Sequence, residues 1–176
     1  ACLPEGSLVG QMSWTQSTGS IKVPDTYKNL RFWKNTSIAS LGSGQTATLP
    51  YGTLGNEWDP EQFTETYPEH RIVLSNTTQT GRVHKMALYR HASNALVFSA
   101  GTMQWPWGLD DAHDINTANP PVQPVSQDMQ QFTVNLLHDM GLSAATLQAN
   151  LVVPTLGPDA VPPTSVITFP AHNTTV

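Results

Sequence analysis

Between Ser126 and Met140, the apolar residues Met129, Phe132, Leu136, Leu137 and Met140 recur at helical spacing. In no other stretch of the 176 residues does that period persist. Ser126 suits the N-cap, Asp128 the positive end of the helix dipole, and Gly141 a left-handed C-terminal cap. A chain with one such helix must build the rest of its core from short strands and loops. The side chains agree: only 12% are charged, with 14 Pro and 12 Gly, and the polar share is mostly Ser, Thr, Asn and Gln. Long exposed helices normally carry far more Lys and Glu.

Leu8–Trp14 and Ile21–Val23 read as extended segments, Thr46–Leu49 as a strand closed by the Pro50-Tyr51-Gly52 turn, and Arg71–Ser75 as another. Lys28–Leu41 is ambiguous and leans towards strand or irregular structure. Arg82–Arg90 alternates as one strand and turns through His91, Ser93 and Asn94 into Ala95–Thr102. That apolar run, ending in small residues, reads as a central parallel strand covered on both faces. With its antiparallel neighbour it implies a mixed sheet. A short second helix is expected at Ala144–Gln148. A linker rich in Pro and Gly follows, and then a strand at Thr164–Phe169.

The net charge of −5 and the lack of any basic stripe exclude a nucleic-acid partner. No apolar run approaches the ~18 residues that span a bilayer, and the polar face of the helix is wrong for membrane binding. The composition is that of secreted proteins, and an exported chain of this kind would have lost its leader. Cys2 is the only cysteine, so it is either free and buried or paired outside the chain. Asn35, Asn76 and Asn173 each open an Asn-x-Thr/Ser triplet.

Two stretches carry candidate chemistry. In Gly55-Asn56-Glu57-Trp58-Asp59, closed by Pro60, Glu57 beside an indole is a candidate general acid or base with a raised pKa. The alternative is a carboxylate paired with one of the few cations. In Trp105–Asp114, Asp110, Asp111, His113 and Asp114 are candidate ligands for a hard cation such as Ca²⁺. Trp58, Trp105 and Trp107 are candidate substrate contacts, the last two by stacking on a sugar. The alternative there is an ordered loop whose indoles cover the sheet edge. No serine-hydrolase elbow, phosphate loop or His-rich metal spacing is present.

Arg31–Thr36, Thr53–Asp59, Leu88–Arg90, Ala95–Asp110 and Gln130–Gly141, taken in order, resemble the C-terminal part of the N,N-dimethylformamidase large-subunit-like proteins. Many of these are long secreted bacterial proteins with Ig-like modules. The resemblance implies an α/β fold: the C-terminal part of a class I glutamine-amidotransferase-like core over residues 1–153. A linker over 154–163 and the first strand of an Ig-like β-sandwich over 164–176 would follow. It implies a parent that hydrolyses amide C–N bonds at an iron held by Tyr and Glu side chains of upstream segments. This segment would then not be catalytic alone, and its partner would be the remainder of that polypeptide or another copy in a homo-oligomer. Glu57 is the position that matches the family's acidic stretch, and Asn56 departs from the aromatic residue expected there. Two other readings stand beside this one: an extracellular assembly protein that pairs by strand addition, and a carbohydrate-binding module.

Overall fold

The computed structural model describes residues 4–62, 66–111 and 125–155. Helix α1 (Gly6–Val9) leads into strands β1 (Thr15–Gln16) and β2 (Lys22–Pro24). Three 3-10 turns, Asp25–Tyr27, Arg31–Trp33 and Ser37–Ser40, occupy the stretch whose periodicity is ambiguous. After them come β3 (Thr46–Thr48), β4 (Glu57–Trp58), β5 (Ile72–Val73), β6 (Thr77–Gln79), β7 (Arg82–His84), β8 (Ala87–Arg90) and β9 (Leu96–Ser99). A 3-10 turn at Trp105–Gly108 precedes helix α2 (Gln127–Asp139).

All pairing between these strands is antiparallel, in sheets of two or three strands: β1-β4, β2-β3, β6-β7 and β5-β8-β9. The glutamine-amidotransferase-like core with a mixed sheet is therefore not the fold. What forms is a mixed α/β arrangement of small antiparallel sheets, and among the described residues none closes into a barrel or an Ig-like sandwich. The Ig-like strand expected at 164–176 lies outside the described residues.

Ala95–Thr102 is the largest single correction. Its regular part, β9, is an edge strand, and β8 is the central one. The apolar run has another cause: both faces of this small sheet are covered. Leu96 and Phe98 pack against the main core. On the other face α1 lies over the sheet, with the Tyr89 hydroxyl donating to the Leu8 carbonyl at 2.5 Å. The Leu8–Trp14 stretch thus begins in α1 rather than as extended chain. Arg82–Arg90 divides between two sheets, β7 pairing with β6 and β8 with β5 and β9. The β6–β7 hairpin closes through Thr80 and Gly81, both at positive φ (50° and 75°), a two-residue turn that matches strand twist. The expected β8–β9 hairpin is present, with Asn94 left-handed at φ 70°.

Helix α2 forms where its spacing and caps predict. Ser126 Oγ accepts from Met129 N at 3.3 Å, and Gly141 has φ 84°. Its buried stripe is Met129, Phe132 and Leu136, flanked by the buried amides of Gln131 and Asn135. Leu137, by contrast, is 42% exposed. Asn135 Nδ2 donates to the carbonyls of Phe32 (2.9 Å) and Lys34 (2.7 Å), groups that the Arg31–Trp33 turn leaves unpaired. Gln131 exchanges two hydrogen bonds with the Val152 backbone. Asp128 accepts from Ser37 N and Oγ at the helix start, and Asp139 meets Arg31 at 2.7 Å at its end. The segment expected to hold a second helix, Ala144–Gln148, has no helical hydrogen bonding.

Phe132 and Leu137 therefore separate packing from propensity. Phe132→Ala is expected to cost about 3–5 kcal/mol, the range for truncating a buried aromatic. Leu137→Ala is expected to cost below about 1 kcal/mol. Urea denaturation of the two variants measures both.

Candidate functional site

Strand β4 is the spine of the site. One edge pairs with β1, Thr15 opposite Trp58 and Gln16 opposite Glu57. The other edge pairs with the chain beyond β9: Asp59 N donates to Gly101 O at 2.9 Å and Met103 N to Glu57 O at 3.1 Å. Side chains alternate across such a ribbon, so Trp58 points inward while Glu57 and Asp59 share the opposite face. That face opens on a groove of about 380 Å³ lined by Trp14, Glu57, Asp59, Phe98, Gly101 and Met103, among others. Trp14 and Met103 expose 62% and 66% of their surface at it.

Gly101 is required where it is. Its φ is 63°, and a side chain there would strike the amide of Gln11. That amide is held by Ser99 Oγ, which donates to Gln11 Oε1 at 2.9 Å. The turn lets the chain leave β9 and run alongside Glu57–Asp59.

Beneath the ribbon lies His84, fully buried, with its ring edge-on to Trp58 at 5.9 Å. Its Nε2 lies 2.9 Å from the carbonyl of Ala100. A carbonyl only accepts, so the proton sits on Nε2 and Nδ1 keeps its lone pair. Among the described residues Nδ1 has no partner. Burial lowers the pKa of His84 to about 4 against the pull of the Ala100 and Gly101 carbonyls, so the ring is neutral.

Asp59 shifts the other way. Burial first, and then the negative charge of Glu5, raises its carboxyl to about 6. Arg71 and Lys85 are engaged by Glu61: Arg71 is hydrogen-bonded to it, and Lys85 stands 3.9 Å from the same carboxylate. Neither Glu57 nor Asp59 has a side-chain hydrogen bond or ion pair among the described residues.

The other candidates are not gathered here. Trp58 is 1% exposed at the base of the groove, its Nε1 donating to Ser17 Oγ at 2.9 Å. Trp105 is a core residue, packed on Phe132 at 5.4 Å and Phe98 at 6.0 Å, with no face open for a sugar. Trp107 is half-buried over Gly52. Asp110 and Asp111 border a separate groove with Gln127, Gln130 and Asn150, while His113 and Asp114 lie outside the described residues. Among the described residues no three His, Cys, Asp or Glu side chains come together as a metal site. The loop expected to hold Ca²⁺ falls only partly within the described residues. No helix among them is long and apolar enough to cross a membrane.

These features define a small α/β domain with a carboxyl-lined groove at a strand crossing. Residues 2–119 match the family model described as N,N-dimethylformamidase beta subunit-like, C-terminal, and the chain belongs to that family. The large-subunit assignment drawn from the sequence is corrected by this match, which is to the beta subunit. No curated protein and no solved structure matches the chain.

The buried imidazole makes stability depend on pH. The unfolded chain takes a proton on His84 near pH 6.5, whereas the folded chain resists until about 4. The contribution is thus fully present above 6.5 and is lost as pH falls through 4, at about 1.4 kcal/mol per unit. Asp59, raised in the fold, acts oppositely: its contribution is lost as pH rises through about 6. Acid titration of unfolding free energy is expected to show a shallower fall in His84→Gln than in the wild type. Parallel curves would disprove the assignment.

Proposed function

We propose that this chain is the C-terminal domain of a hydrolase acting on amide C–N bonds, and that the groove above β4 is its contribution to the reaction. Family membership supports the reaction class. One observation carries the role of the groove: a carboxyl, Asp59, with a pKa of about 6, shares a strand face with Glu57 at the edge of solvent.

Breaking an amide C–N bond requires a proton to leave the attacking water and another to reach the departing nitrogen. A carboxyl that titrates near neutrality serves either transfer, because it is populated in both forms at working pH. Burial and the negative charge of Glu5 keep that proton available. In the resembled amidase a metal polarises the carbonyl. The role proposed for this chain is proton handling and orientation.

The low charge and the large share of Ser, Thr, Asn and Gln support an extracellular location. The assembly and carbohydrate readings rest on the strand at 164–169 and on the indoles of Trp105 and Trp107. That strand lies outside the described residues, Trp105 is in the core and Trp107 is half-buried.

The test is amine release from small amides by the intact protein. Asp59→Asn is expected to lower kcat/KM by about 100-fold, the scale of a lost general acid or base, and to remove the inflection near pH 6. Full activity and an unchanged pH profile in Asp59→Asn would refute the proposal.

A further inference from the structure

The groove combines features that proton transfer alone does not need. Two carboxyls face it without a partner, Glu5 adds negative charge, and none of the residues that line it is a Lys or Arg. That is unusual in a chain that pairs its other buried or half-buried acids. Glu61 takes Arg71 and Lys85, Asp139 takes Arg31, and Asp128 takes two donors from Ser37. Two large side chains, Trp14 and Met103, stand at the same groove more than half exposed, although the core has room for other indoles.

An uncompensated carboxyl pair attracts a cation, and an inorganic ion would leave the indole and thioether in water. A small organic ammonium satisfies both, with its charge near the carboxylates and its alkyl groups on Trp14 and Met103. We propose that the groove binds small alkylammonium ions, with Glu57 and Asp59 supplying the charge and Trp14 the aromatic wall. Amide hydrolysis releases an amine that protonates in water, so the proposal rests on the hydrolase reading only in naming that product class. The binding itself is a property of the groove.

The test uses a pair of probes of nearly equal shape, choline and its neutral carbon isostere 3,3-dimethylbutan-1-ol, titrated calorimetrically at pH 7.5 and matched ionic strength. Choline is expected to bind at least about tenfold more tightly, the scale of a partly desolvated cation–π and carboxylate contact. The double variant Glu57→Gln, Asp59→Asn is expected to erase that difference. Trp14→Ala, at an exposed position where folding is not at risk, is expected to weaken choline about fivefold. Equal affinity for the two probes, or choline binding untouched by all three substitutions, would overturn the proposal. Choline binding without amide turnover would leave the cation site standing and remove the hydrolase reading. Turnover without choline binding would do the reverse.

Discussion

The structure depends on the contact between α2 and the turn at Arg31–Trp33. Phe132 is the meeting point of four other rings: Trp33 at 4.5 Å, Trp105 at 5.4 Å, Phe98 at 5.6 Å and Phe32 at 6.2 Å. These rings come from the first half of the chain, the edge of the three-stranded sheet and the turn before the helix. Strand pairs as short as β1-β4 or β2-β3 are not stable alone in water. They persist because each presents an apolar residue to this cluster, Trp58 and Val23 among them. Asn135 makes the contact directional. A purely apolar helix face could slide or rotate, whereas an amide bound to two buried carbonyls sets the register, and losing it would strand both.

The groove inherits its shape from that core. Phe98 and Trp105, which bracket the strand crossing on its inner side, both touch Phe132. The intervening chain is thereby drawn against Glu57–Asp59, and its path is fixed further by Gly101 and by the His84 ring under Ala100. The family match ends at residue 119, so α2 lies outside the matched region although the groove depends on it. The helix acts as a support for the strand crossing that carries the carboxyls.

What was legible in the sequence was local. Ser126, Gly141 and the apolar spacing between them locate α2 and its caps, because caps and period act within one helix, although Leu137 and Met140 stay exposed. The turn through His91–Asn94 was readable for the same reason. Sheet class was not. An apolar run such as Leu96-Val97-Phe98 has the same look in a buried parallel strand and in an edge strand covered on both sides. The difference lies in α1, far earlier in the chain, whose four-residue length gives no periodicity to read. The Arg31–Trp33 turn was missed because Phe32 and Trp33 are buried by α2 rather than by strand neighbours.

Glu57 and Asp59 show how the same limit applies to a site. The indole beside Glu57 drew attention to that residue, on the premise that an adjacent apolar side chain desolvates its neighbour. In a strand, though, neighbours in sequence point to opposite faces, so Trp58 buries His84 and leaves Glu57 to the groove. The next carboxyl on the same face is Asp59, whose pKa burial and then Glu5 raise and whose backbone is held by Gly101. A period of two from Glu57, together with the closing Pro60, was the available signal for Asp59. The contribution of Glu5 was invisible, since it depends on where α1 places residues more than 50 positions away.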